Sequence, residues 1–213
     1  RSGYESDVLH QLHALEHTSA APIIRVEGFE RQRIHRMLDI GAEGIMCPRI
    51  NNVEEAKKFA AGLLYPPDGV RGVAKMVRAT GYSKNFDGYW KNLKNNIVGV
   101  LQVETPEILN NLDEIAAQES VDVLFIGPAD LSMALGIFGQ FDNPLFIDAV
   151  KATVNAAEKA GKAAGILLFN PSDFKKYRDL GIRFIACGAD MTFVVNGAFD
   201  MANKLKEIRA SYE

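Results

Sequence analysis

Residues 97–130, IVGVLQVETPEILNNLDEIAAQESVDVLFIGPAD, carry the pattern that decides the fold. An apolar run over 97–104 is followed by a stretch of helical period over 106–118 and a second apolar run over 121–127. Both runs are nearly continuous in hydrophobicity, as strands buried on two faces are, and a helix joining two such strands is the crossover of a parallel sheet. Working outward, the same unit recurs: strands are predicted over 22–27, 43–47, 164–169 and 182–187, and helices over 6–17, 30–40, 53–64, 144–160, 172–180 and 190–210. Gly41, Gly161 and Gly181 each stop a helix just before a strand, where a left-handed backbone is needed. The rhythm breaks only over 65–96, which opens with Pro66-Pro67-Asp68-Gly69 and is too long for an ordinary connection. It is expected to be a partly ordered, functional excursion over the sheet.

Six βα units leave a geometric problem, because a closed barrel of this kind needs eight strands and about 250 residues. The chain has 213 residues and begins with a helix, so the expectation is one domain over 1–213, the C-terminal three quarters of an α/β (β/α)8 barrel that lacks its first two strands. With 47% hydrophobic and 24% charged residues, a large core is available and disorder or a coiled coil is excluded. Lys and Arg number 24 against 27 Asp and Glu, so there is no basic field to hold a phosphodiester backbone and no nucleic-acid partner is expected. No apolar run approaches the ~20 residues of a membrane span. Cys47 and Cys187 are too few for a disulfide framework and are expected to be reduced. The polar start, 1–7, lacks the apolar segment of a signal peptide, which points to the cytoplasm.

In parallel α/β folds chemistry collects at the carboxyl ends of the strands. There the sequence places Arg25 and Glu27, then Pro48-Arg49, Gln102-Val103-Glu104 and Gly127-Pro128-Ala129-Asp130. Glu104 and Asp130 close consecutive strands, about 4.8 Å apart in a sheet, so their carboxylates can meet on one hard divalent cation. Magnesium and manganese take one or two carboxylates and leave positions for water and substrate, whereas zinc would want His or Cys nearby. The bland alternative is equally open: Asp130 can cap a short helix, and Glu104 the helix after Thr105-Pro106. Arg25 in an apolar strand needs an anion, either Glu27 or a ligand. His10, His13 and His17 form a solvated helix face opposite Leu9, Leu12 and Leu15, and His35 is likewise expected at the surface. Asp39 reads as a helix-end polar residue, and Arg71 as part of a turn within reach of an anion. Tyr89 and Trp90 read as packing residues.

The strings IIRV, LDIGAEGIMCPRINNVEEAKK, YPPDGVRG, VLQVET, VLFIGPADLS and GKAAGILLFN together resemble the HpcH/HpaI aldolase/citrate lyase family, and within it the metal-dependent pyruvate aldolases of the 4-hydroxy-2-oxoheptanedioate and 2-keto-3-deoxy-sugar-acid type. The resemblance runs over nearly the whole chain. It implies a barrel of the phosphoenolpyruvate/pyruvate superfamily, assembled as a homo-oligomeric trimer of dimers. The implied reaction cleaves a 4-hydroxy-2-oxo acid to pyruvate and an aldehyde. Carried over residue by residue, Glu104 and Asp130 would hold Mg²⁺ or Mn²⁺, and Gln102 would contact the 2-oxo acid. The backbone at Ala129 and Asp130 would bind its carboxylate, Arg25 would stabilise the enolate, and Asp39 would raise the basicity of a catalytic histidine. That histidine belongs upstream of Arg1 in the family pattern, and none of the four present here takes its place. A lyase of CoA thioesters and a catalytically inactive binding subunit are the rival readings.

Overall fold

The computed structural model describes residues 4–212. Of the polar start, residues 1–3 therefore lie outside the described residues, as does residue 213. All six expected strands form: β1 (Ile23–Arg25), β2 (Gly44–Cys47), β3 (Val98–Val103), β4 (Val123–Ile126), β5 (Ala163–Leu168) and β6 (Phe184–Cys187). They make one sheet in the order β1-β2-β3-β4-β5-β6, every neighbouring pair parallel. A strand order that never reverses, joined by right-handed crossovers, puts every connecting helix on the same face and curls the sheet into part of a barrel.

The two faces of the sheet show the consequence. Outward-facing Ile45, Leu101, Val103, Leu124, Ile126 and Ile166 join the helix residues Ile34, Phe59 and Phe146 in the main core. Inward-facing Val100, Val123 and Phe125 form a separate cluster with Ile23, Met46, Leu167 and Phe184, the inner filling of the curled sheet. Phe125 and Phe184 meet edge to face, with ring centres 5.9 Å apart. Both faces are apolar, which is why the strands read as unbroken hydrophobic runs.

Most helices fall where expected, with three revisions. The stretch 106–118 is two short helices, Pro106–Leu109 and Leu112–Ala116, because Asn110 and Asn111 interrupt it. Asn111 turns its side-chain amide back to the Glu107 carbonyl at 3.2 Å, competing with the helical backbone. The stretch 172–180 begins as a 3-10 turn, Pro171–Asp173, before the helix Phe174–Asp179. The excursion 65–96 contains a 3-10 turn at Arg78–Thr80 and helices Phe86–Lys91 and Leu93–Asn96. It joins the end of the helix Val53–Leu63 to the start of β3, so it lies at the amino edge of the sheet and not over the edge where parallel sheets carry chemistry. Gly41, Gly161 and Gly181 do adopt positive φ, at 109°, 69° and 104°.

One buried cation pins that excursion. Arg71 is 0% exposed and donates to Asp39 at 2.7 Å and to the Tyr89 hydroxyl at 2.8 Å, with its guanidinium over the Tyr65 ring at 4.6 Å. His35 completes the anchor, and the expectation of a surface histidine is wrong here. Its Nδ1 accepts the Gly72 N–H at 3.2 Å, and Nε2 is buried without a partner among the described residues. Burial first, then the charges of Arg31 and Arg71, lower its pKa from 6.5 to about 4. His10, His13 and His17 are exposed, as expected of a solvated face. The helix Asp190–Ala210 is exposed along its whole length, including Phe193, Phe199 and Leu205. Among the described residues no helix is long and apolar enough to cross a membrane.

A lowered histidine pKa means that the unfolded chain binds a proton more readily than the folded one between about pH 6.5 and 4. Stability is therefore full above pH 6.5 and is lost as the pH falls through that window. His35→Asn keeps an acceptor for Gly72 but does not titrate, so its Tm should fall less from pH 7 to pH 4 than that of the unsubstituted protein, as read by thermal melts across that range.

Candidate active site

The carboxyl edge of the sheet ends in a cavity of about 330 Å³. Its polar wall is Arg25, Gln102, Glu104, Ala129 and Asp130, and its apolar wall includes Met46, Phe125, Leu167 and Phe169. Strand period accounts for the convergence. Arg25, Gln102 and Glu104 share the inward-facing parity of Ile23, Val98 and Val100, so each strand turns polar on its inner face where its last residues emerge. Five of the six residues singled out from sequence are thus brought together. Asp39 is not: it ends the helix Arg31–Asp39 next to the start of β2, at the amino edge, where Arg71 holds it.

Glu104 is 4% exposed. It caps no helix; its Oε2 accepts the Arg49 N–H at 3.2 Å. Arg49 reaches this position with φ of 55°, a left-handed backbone that costs a non-glycine residue roughly 1–2 kcal/mol. Burial raises the Glu104 pKa, the Asp130 charge raises it further, and Arg49 and Arg25 pull against them. Two carboxylates in mutual repulsion beside an arginine form an acidic pair that a divalent cation would relieve. The fit with such an ion is chemical: the donors are hard oxygens, and among the described residues no group of three or more His, Cys, Asp and Glu gathers anywhere. Two protein carboxylates with the remaining positions left to water and substrate is the usual provision for magnesium or manganese.

Asp130 is not the helix cap either. Gly127 caps Pro128–Ala134, Pro128 takes the first position, and Asp130 is exposed in the first turn. Since proline has no N–H, the first-turn donors at Ala129 and Asp130 point out of the helix start. The cap must be glycine for a steric reason: a Cβ at 127 would stand 2.8 Å from both Cγ and Oε1 of Glu104. Of the two partners expected for Arg25, an acidic neighbour or a ligand, the neighbour Glu27 is not taken. Glu27 is occupied by Arg33 at 2.9 Å, and the Arg25 Nε–H donates instead to Gln102 Oε1 at 2.6 Å. Sequence reading placed Arg49 and Gly127 at the carboxyl edge without giving either a role: Arg49 donates its N–H to Glu104, and Gly127 makes room for that side chain.

A second cavity, about 370 Å³, lies beside the 65–96 segment against Leu64, Trp90 and Lys94. The acid in its wall, Asp68, is paired with Lys94 at 3.2 Å, which leaves no pair of carboxylates facing one another there. Gly127→Ala should push the Glu104 carboxylate off its position while leaving the strand intact. Its affinity for Mn²⁺, measured by calorimetry, should fall by about tenfold or more, with Tm changed little.

The chain matches the HpcH/HpaI aldolase/citrate lyase family over residues 5–197. It is 36% identical over 207 residues to the hydroxypyruvate/pyruvate aldolase of Agrobacterium fabrum, covering 97% of this chain and 75% of that protein. It is 35% identical over 202 residues to the 5-keto-4-deoxy-D-glucarate aldolase of Shigella boydii, covering 95% and 78%. Among solved structures, an HpcH/HpaI aldolase/citrate lyase family protein from Burkholderia cenocepacia superposes with a TM-score of 0.88 at 32% identity, over 95% of this chain and 80% of that one. Matched by the family model over residues 5–197 and by these relatives over nearly all of its own length, the chain belongs to the HpcH/HpaI aldolase/citrate lyase family.

Proposed function

We propose that this protein is a metal-dependent pyruvate aldolase, cleaving 4-hydroxy-2-oxo acids to pyruvate and an aldehyde in the cytoplasm. The observation that carries the reading is the convergence of two carboxylates, Glu104 and Asp130, and one arginine, Arg25, on a single cavity. Glu104 and Asp130 would hold Mg²⁺ or Mn²⁺, which when bound supplies Lewis acidity toward a 2-oxo acid. The names of the two aldolase relatives support the substrate class.

The chain's own residues account for the rest. Retro-aldol cleavage breaks the C3–C4 bond and leaves its electron pair on the pyruvate side as an enolate, while the proton of the 4-hydroxyl group would pass to a base, the role that the family resemblance gives to a histidine. The Arg25 guanidinium is the positive group that would face that charge. The N–H groups of Ala129 and Asp130 would bind the substrate carboxylate, and Gln102 lies beside them in the same wall. Phe125 and Leu167 would give the three-carbon fragment an apolar seat. Asp39 would act through the family's histidine, and within this chain its carboxylate is engaged by Arg71 instead. The exposed apolar side chains of Asp190–Ala210 are surface that a homo-oligomer, proposed as a trimer of dimers, would cover.

Steady pyruvate release from a 4-hydroxy-2-oxo acid should require Mg²⁺ or Mn²⁺ and stop on adding chelator. Arg25→Ala should lower kcat by about 10²–10³ with metal binding retained. Glu104→Ala should abolish both. Turnover of a citryl or malyl CoA thioester in place of the 2-oxo acid would sink the reading, as would metal and pyruvate binding with no turnover at all.

A further inference from the structure

We propose that Gln102 is the positioning residue for the Arg25 guanidinium, an assignment that rests on the aldolase reading and gives Gln102 a different task from the substrate contact implied by family resemblance. Arg25 stands at the end of β1, is exposed, and forms no ion pair among the described residues. Its nearest acid in sequence, Glu27, is taken by Arg33. The contact that fixes it is the 2.6 Å hydrogen bond from Nε to Gln102 Oε1, at the short end for a charge-assisted N–H···O bond.

The two partners are unequal in freedom. Gln102 is 6% exposed on β3, a central strand held by β2 on one side and by β4 on the other, where Gln102 pairs in register with Phe125. Arg25 carries its guanidinium at the end of a long flexible stem on the three-residue strand β1. The amide is therefore the fixed member and the guanidinium the one being aimed. A guanidinium is a rigid plane with five N–H donors, so holding Nε sets the orientation of the plane and leaves the four N–H bonds of the two terminal nitrogens for a ligand. With one lone pair of Oε1 taken by Arg25, Gln102 keeps its amide N–H bonds and the second lone pair for the cavity. The neutrality of the partner matters as well. A carboxylate at 102 would hold Nε equally well but would cancel the charge that faces the substrate and add a third anion beside Glu104 and Asp130.

The test is a double-mutant cycle in the full chain supplied with Mn²⁺, using Gln102→Met, which keeps an unbranched chain of similar length without the acceptor, with Gln102→Leu as a second replacement should the first misfold. Gln102→Met should lower kcat by about tenfold to a hundredfold, the range for losing a hydrogen bond to a charged group, with KM for the 4-hydroxy-2-oxo acid within about twofold. Arg25→Ala combined with Gln102→Met should be no slower than Arg25→Ala alone. Binding of oxalate, a flat dianion shaped like the pyruvate enolate, gives a readout that needs no turnover: its affinity should fall in each single variant and no further in the double. Additive losses in the double variant, or unchanged kcat and oxalate affinity in Gln102→Met, would overturn the assignment. If the unsubstituted protein turns over no 4-hydroxy-2-oxo acid, the aldolase reading fails while the oxalate cycle still decides the Arg25–Gln102 coupling. Absence of oxalate binding to the unsubstituted protein overturns both.

Discussion

A parallel sheet raises the carboxyl ends of all its strands to one edge, and the polar groups of this chain depend on that constraint. Along each strand the inner face is spent on packing until the last residues. Ile23, Val98, Val100 and Val123 fill the lower layers, and above them the same face turns to Arg25, Gln102 and Glu104. The apolar layers do more than stabilise. They fix the register between β3 and β4 and so fix where Glu104 emerges relative to Gly127. Because a shift of one residue would turn each side chain to the opposite face, the site is set by the same packing that holds the sheet together.

The opposite edge carries a different kind of polar cluster. Arg71, Asp39, Tyr89 and Tyr65 are bonded or stacked against one another with the guanidinium out of water. Removing one partner of such a buried pair typically costs about 3–5 kcal/mol, since the other charge is stranded. This cluster ties the 65–96 excursion to the end of the helix Arg31–Asp39, and His35 secures the next residue, Gly72. The division is the familiar one for barrels, with stability at the amino edge and chemistry at the carboxyl edge.

The fold was legible because its signals are local. Six apolar runs and the glycine stops at 41, 161 and 181 each speak within a few residues, and the strands formed where those runs lie. Local competition explains the one helix that broke, at Asn110-Asn111. The site was legible at the level of which residues reach the carboxyl edge, which strand ends alone determine. Its pairing was not. Arg25 meets Gln102 across 77 positions and Arg71 meets Asp39 across 32, and no spacing rule names a partner at such distances. Glu27, two positions from Arg25, was the natural guess, but neighbours at i and i+2 fall on different elements once the strand ends at Arg25. His35 failed for a related reason. Its helix face is polar in sequence, and the return of the chain at Gly72 covers part of the ring.

The two arginines separate by the charge of their partners. Arg71 is fully buried and pairs with a carboxylate, so little net charge is left and none is offered to a ligand. Arg25 is exposed to the cavity and pairs with an amide, so it keeps its full positive charge while losing the freedom of its plane. Across the cavity the balance is inverted: Glu104 and Asp130 place two negative groups close enough for the charge of one to raise the pKa of the other. An acidic pair facing an uncompensated cation is a poor arrangement for stability alone, since each carboxylate is desolvated or repelled by its neighbour. On the proposed reading it would become a favourable one, because a divalent ion would satisfy the carboxylates and the guanidinium an anionic substrate.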